Sequence, residues 1–423
     1  LRDLLSLGVA GFRVDAAKHI PANDLKAILE GAGNVNDATR AAFGITKPWV
    51  THEVFGGWGP IDDSERAVYF SIGTANEFKY KDVLRDAFTR NGTSLSQLAS
   101  LLPPTDASSN PRGLFASRNA TVFVSNHDLE RHNASLTSRN SGKLFNLANI
   151  FMLAYPYGQT QLQSGFKLTG NPNDDNTAVP SGTIYNNGVP NFSNWDQQHR
   201  WREISNMVAF RNQTAGKWQV DDWTTDGGDR IAFHRGDQGF LAINRDDSNQ
   251  WSRTFRTGMA AGQYCNVING LLSADKKSCS GDVVTVNSDG TASLTIPSMS
   301  SAGIPAVAIH AGQKLGEGGG DDCQVAVNFQ VYDNTTVVGQ DVYVTGSGTE
   351  LNKWSVDAAI KLPGTAWPVW KTTVNLKAGT TYEFKYIKKG VRPLQWESGG
   401  NRQISVPACG SPAVTVGLSN FRQ

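Results

Sequence analysis

The stretch Gly11-Phe12-Arg13-Val14-Asp15-Ala16-Ala17-Lys18-His19 constrains this chain more than any other. Val9–Val14 is short, apolar and preceded by Gly8, the pattern of a buried strand. An arginine sits inside that strand and an aspartate directly follows its last residue. Isolated charges are costly to bury, so Arg13 and Asp15 must serve each other or a ligand. The plainer of the two readings is an ion pair closing a strand. The other is chemical, because parallel barrels keep their reactive carboxylates just past the C-terminal ends of their strands. Lys18 and His19 add a cation and a polar ring in the next loop.

The same arrangement recurs downstream. Pro48–Thr51 reads as a second strand with Glu53 past its end, and Glu77-Phe78 reads as a third. Ala120–Ser125 reads as a fourth, running into Asn126-His127-Asp128, and a weak fifth lies near Gln159–Leu162. Helical segments are expected at Pro21–Leu29, Asp82–Phe88, Leu144–Leu153 and Arg200–Arg211. Strand–helix alternation implies parallel βα units, here five over residues 1–217. A closed (β/α)8 barrel has eight, so the remaining units are expected upstream of Leu1, where the sequence opens inside a helix without an initiator Met. In such a barrel the strand ends converge on one face, which would bring Asp15, Glu53 and Asp128 together. Glycoside hydrolysis needs such a set: one carboxylate attacks the anomeric carbon, and another, kept protonated, donates to the leaving oxygen.

From about Trp218 the helical period stops. Arg230–Arg235, Gly239–Asn244, Val283–Val286, Ala292–Ile296 and Ala306–His310 read as short strands of an antiparallel sandwich over residues 218–312. Residues 313–322, with Gly318-Gly319-Gly320, read as a linker. Residues 323–423 are again all β, with strands such as Val325–Val331, Asp341–Thr345, Trp370–Leu376 and Thr381–Ile387.

A net charge of +1 gives no case for a nucleic-acid or membrane partner, and no apolar run approaches membrane-span length. A monomer is expected. The four cysteines pair most simply as two local bridges, Cys265–Cys279 and Cys323–Cys409, although four allow three connectivities. With glycosylation sequons at Asn91, Asn119, Asn133, Asn191, Asn212 and Asn334, they point to a secreted, extracellular glycoprotein.

Residues Gly11–His19 resemble a motif of the α-amylases, glycoside hydrolase family 13. Trp49-Val50-Thr51-His52-Glu53-Val54 and Phe123-Val124-Ser125-Asn126-His127-Asp128 resemble two more, in the family's order. Asn76-Glu77-Phe78-Lys79-Tyr80 and Tyr155-Pro156-Tyr157-Gly158 are similar to its animal-type branch. The resemblance implies that Asp15 is the nucleophile held by Arg13, Glu53 the general acid/base and Asp128 the third acid. It assigns sugar contacts to Lys18, His19 and His127. It also implies a structural calcium, most of whose ligands would lie upstream, leaving only the main-chain carbonyl of His19. A chloride ion is implied on Arg13, Asn126 and Lys167. Leu129–Lys143 departs from the animal pattern, lacking its Gly cluster.

The last hundred residues resemble the starch-binding module of carbohydrate-binding family 20. Trp354 and Trp396 stand in polar loops, as a glucan site needs, because the apolar face of glucose stacks on an indole. Lys385, Glu397 and Asn401 match the polar groups flanking that platform. The module's second site relies on tyrosines. Val338 stands where one is expected, leaving Trp367 and Trp370 as substitutes. The implied function is retaining endo-hydrolysis of α-1,4-glucosidic bonds in starch and glycogen. The competing readings are a carbohydrate-binding protein with an incomplete barrel, and a transglycosylase such as a cyclodextrin-forming enzyme, against which the animal-type motifs argue.

Overall fold

Nothing larger than glycine fits at the start of the first strand: a Cβ on Gly11 would lie 2.3 Å from the Trp49 carbonyl oxygen. That close approach seats β1 (Gly11–Val14) beside β2 (Trp49–His52), with Arg13 opposite Thr51. The computed structural model describes residues 1–54, 67–102, 112–133, 135–171, 173–316, 324–407 and 411–423. Cys323, Cys409 and most of the glycine-rich stretch lie outside them. The chain divides into two units, Leu1–Leu271 with Ser280–Gln313, and Leu272–Cys279 with Lys314–Gln423.

In the first unit β1 and β2 continue into β3 (Thr74–Asn76), β4 (Ala120–Val122) and β5 (Gln159–Thr160), a parallel sheet in the order 1-2-3-4-5. Helices Ala22–Ala32, Phe78–Thr89 and Lys143–Ala154 follow β1, β3 and β4, and Arg202–Gln213 comes after β5. The third strand is three residues earlier than expected. Glu77 is not in it, because its carboxylate accepts the Lys79 N–H at 3.0 Å and caps the helix that begins at Phe78. Helix Asp37–Phe43, not anticipated, is capped by the Asn36 side chain on Thr39 N and stopped by left-handed Gly44. A small hairpin pairs β6 (Tyr185–Asn186) with β7 (Val189–Pro190).

The antiparallel part comprises β8 (Asp221–Thr225), β9 (Arg230–His234), β10 (Gly239–Asn244), β11 (Trp251–Arg256), β12 (Gly262–Cys265), β13 (Val283–Val286), β14 (Thr291–Ile296) and β15 (Ala306–His310). Its main sheet runs β15-β10-β9-β8. Period-two alternation gives this sheet two buried faces. Ile231, Phe233, Leu241, Ile243 and Ala308 join the core formed with the helices of the parallel sheet. Their neighbours Ala232, Phe240, Ala242 and Ile309 join the interior of the antiparallel part. Arg90 adds polar ties across the first junction, to Asp229 at 2.7 Å and Asp247 at 2.8 Å. Cys265 and Cys279 are both disulfide-bonded.

The second unit is a β-sandwich. One sheet runs β19 (Val369–Lys377), β16 (Gln324–Tyr332), β23 (Val414–Thr415). The other runs β18 (Ile360–Leu362), β17 (Gln340–Gly346), β20 (Thr381–Gly390), with β21 (Gln395–Trp396) and β22 (Arg402–Ser405) both on β20. Alternate residues Val325, Val327, Phe329 and Val331 face its core. Trp370 belongs there too: it is 5% exposed and donates to the Asp333 carbonyl, so it cannot serve as an open sugar platform.

His310, at the end of β15, is buried edge-on to Phe210 and neither ring nitrogen has a hydrogen-bond partner. Burial lowers its pKa from 6.5 to about 4. The unfolded chain therefore binds the proton more readily, and stability is lost as pH falls from 6.5 towards 4, by about 1.4 kcal/mol per unit. Urea unfolding between these pH values should show that slope, and His310→Phe should remove this contribution.

Candidate active site

Arg13 sits between two carboxylates. Its Nη1 donates to Asp15 and its Nη2 lies 3.0 Å from Glu53 Oε1. The chain turns sharply after β1, with Ala16 left-handed at φ 46°, and this aims the Ala16 N–H at Glu53 Oε2, 3.0 Å away. Glu53 follows β2 directly, and its N–H donates to the Val14 carbonyl. The carboxylates differ in setting: the Asp15 side chain is 71% exposed and Glu53 15%. The Arg13 hydrogen bond, with one from Glu53, holds the Asp15 carboxyl below the usual aspartate value. A low pKa keeps the Asp15 carboxylate ionised.

His127 and Asp128 open helix His127–His132, which Asn126 caps by accepting Asp128 N at 3.1 Å and Leu129 N at 2.9 Å. Both are more than half exposed, and His127 Nε2 lies 3.6 Å from Asp128 Oδ1. One cleft is lined by Arg13, Asn76, Phe123, Ser125, Asn126, His127, Gln161, Leu162 and Gln163. It connects the ends of β1, β3, β4 and β5. Lys18 and His19 follow in a short 3-10 turn, with His19 exposed. Gln161 and Gln163 do not stand out in the sequence, and Asn76 does so only as the first residue of the Asn76–Tyr80 motif. Their shared signal is position, each at or just past a strand end.

The groups that would hold ions do not come together. Among the described residues no cluster of three or more His, Cys, Asp or Glu side chains fits a metal, and His19 offers calcium only a main-chain carbonyl. Lys167 does not line the cleft with Arg13 and Asn126; it is exposed, and Asp196 is the charge it meets. The residue past β5 that does line the cleft is the neutral Gln161, which accepts from Asn76 Nδ2 at 3.3 Å. With Arg13 already committed to two carboxylates, these residues do not form a chloride cradle.

In the second unit the Trp354 and Trp396 rings lie 6.5 Å apart, tilted by 39°. Trp396 is 37% exposed. Asn352, Lys353 and Trp354 are all left-handed, with φ of 59°, 47° and 65°, a costly run for residues with side chains. Lys385 Nζ ties the opposite loop, donating to the carbonyls of Glu397 at 3.1 Å and Gly399 at 2.7 Å. Asn401 donates to Glu383 at 3.0 Å. Glu397 departs from expectation. Its side chain is fully buried and paired with Arg402 at 2.8 Å and Arg422 at 3.2 Å, and it accepts the Tyr386 N–H. Burial would raise its pKa, but the two arginines lower it. It shapes the Trp396 loop from within. Val338 is 99% exposed and Trp367 58%.

Residues 221–305 match the family model described as the alpha amylase C-terminal all-beta domain, and residues 324–416 match the starch binding domain. The alpha-amylase of Streptomyces violaceus is 38% identical over 421 residues, 97% of this chain and 65% of that protein. Human pancreatic alpha-amylase is 38% identical over 336 residues, 74% of this chain and 61% of that protein. The wild-type alpha-amylase I of Eisenia fetida superposes with a TM-score of 0.61 at 29% identity, covering 73% of this chain and 63% of that one. The chain belongs to the alpha-amylase family. It is a member of glycoside hydrolase family 13 with a C-terminal starch-binding module, and its parallel sheet is part of a (β/α)8 barrel. It spans just under two thirds of the length of the Streptomyces violaceus and Thermomonospora curvata alpha-amylases.

Truncating Glu397 would leave Arg402 and Arg422 without their counter-charge. Glu397→Ala should cost the second unit about 3 kcal/mol or more in urea unfolding followed by tryptophan fluorescence. An unchanged transition would mean that the buried pair does not hold the loop.

Proposed function

We propose that the protein hydrolyses internal α-1,4-glucosidic bonds of starch and glycogen with retention of configuration, and that its C-terminal module binds the same glucans. The observation that carries this reading is the single guanidinium of Arg13 on both Asp15 and Glu53. Asp15, ionised, attacks the anomeric carbon while Glu53 gives its proton to the departing glycosidic oxygen. The products are a glucosyl ester on Asp15 and a free chain end. Glu53, now a carboxylate, takes a proton from water, which attacks the ester and releases Asp15. Arg13 remains paired throughout and fixes both carboxyls. Asp128 holds sugar hydroxyls in the transition state, with Lys18, His19 and His127 as further contacts.

The maltohexaose complex of a mutant of the Eisenia fetida enzyme supports a linear glucan as the ligand class. The disulfide-bonded state of Cys265 and Cys279 supports an oxidising, extracellular setting, and we take the protein to act as a secreted monomer.

Asp15→Asn should lower kcat by several orders of magnitude while granule binding persists. Glu53→Gln should be rescued by azide, giving a glycosyl azide of retained configuration. Near-normal hydrolysis by Asp15→Asn would rule out the nucleophile assignment. Independently, removing each indole platform should weaken granule binding by about 1–3 kcal/mol. The Trp354→Ala, Trp396→Ala double variant should therefore stay in the supernatant when granules are spun down. If it sediments with them as the parent does, the binding face lies elsewhere.

A further inference from the structure

Helix His127–His132 presents His127 and Asp128 to solvent and buries Glu130, which is 6% exposed. Glu130 has no part in the hydrolysis described above. Its Oε1 accepts the Ser138 N–H at 3.3 Å and its Oε2 lies 3.3 Å from Ser138 Oγ. The same Oγ lies 3.4 Å from Asp196 Oδ2 and accepts from Gln198 Nε2 at 3.2 Å. Ser125, which lines the cleft, is also a neighbour of Glu130.

A hydroxyl has one proton, so Ser138 cannot donate to two carboxylates at once. If both acids were ionised, one would face an oxygen lone pair. The contacts close when one acid is neutral, and Glu130 is the one buried at 6% exposure: its O–H donates to Ser138 Oγ, the Ser138 proton goes to Asp196, and Gln198 fills the remaining lone pair.

We propose that Glu130 is a positioning residue for the active site: neutral, and bridged by Ser138 to Asp196, it clamps helix His127–His132 in place, and its ionisation releases the clamp. The surrounding charges agree. Burial pushes Glu130 up to about 7, with Asp196 adding to the rise and the hydrogen bonds from Ser138 opposing it. Burial also raises Asp196, with Lys167 opposing. On Glu130's own helix, Arg131 is turned away to the carbonyls of Asp175 and Thr177. The clamped state thus holds the proton more tightly than the open one. Its extra stability is complete below pH 4.5, declines as pH rises towards 7 and is flat beyond.

Hydrogen–deuterium exchange of the whole chain reads the clamp without any need for turnover. Corrected for intrinsic rates, protection of the helix amides and of Ser138 N–H should fall by up to about 300-fold as pH rises from 4.5 to 7. Glu130→Gln keeps a neutral donor at the same place, so its protection should stay high and level across that range. Ser138→Ala lacks the bridge and should exchange fast at every pH. Equal pH dependence in the parent and Glu130→Gln would overturn the proposal, as would full protection in Ser138→Ala. The consequence for hydrolysis rests on the proposed role of Asp128. Where that role holds, the alkaline fall of kcat should move to higher pH in Glu130→Gln. If exchange behaves as expected and the kcat profile does not move, the clamp stands and the role of Asp128 falls.

Discussion

The pairing of one guanidinium with two carboxylates, Arg13 with Asp15 and Glu53, is the interaction on which the rest of this site depends. It reaches across two adjacent parallel strands, so it exists only in the observed register, with Arg13 opposite Thr51. That register depends in turn on Gly11, which lets the Trp49 carbonyl come close. The turn at Ala16 then adds a main-chain donor to the same Glu53 carboxylate. An arginine suits this place because its planar fork serves two acceptors at once and stays charged at every working pH. Backbone geometry, charge and chemistry converge on a few residues at the ends of two strands.

The starch-binding module follows the same logic with the signs of exposure reversed. There the carboxylate, Glu397, is buried and two arginines hold it, while the adjoining Trp396 is 37% exposed and Trp354 half-buried beside it. Strain at Asn352–Trp354 is tolerated because the loop is anchored: Leu351 is buried, and Thr345 Oγ1 donates to its carbonyl at 3.1 Å. Rigid support for exposed aromatic faces lowers the ordering cost of binding a flexible glucan.

Much of this was legible in the sequence. The parallel βα order, the antiparallel part and the placement of Asp15, Glu53 and Asp128 past strand ends follow from apolar period and local motif. What failed was whatever depends on contacts distant along the chain. Glu397 adjoins an exposed tryptophan and reads as a ligand group, yet Arg402 and Arg422 draw it inward. Trp370 reads as a free indole because nothing in its segment announces the Asp333 carbonyl that takes its N–H. Lys167 has the charge expected of an anion ligand, but the chain past β5 brings Gln161 to the cleft instead. The Asn36 cap and the Gly44 stop are local signals of a helix, whereas Glu77 resembles a strand residue until its capping of the helix from Phe78 is seen.

The central claim is that Asp15 is the group that bonds to sugar. It is tested most directly by trapping that bond: the protein is incubated with an activated fluoro-maltosyl substrate that forms the ester faster than water removes it, then digested and mapped by mass spectrometry. The account predicts one maltosyl adduct, on Asp15, that does not form in Asp15→Asn. An adduct on Glu53 or Asp128, or continued hydrolysis with no trapped ester at all, would contradict it.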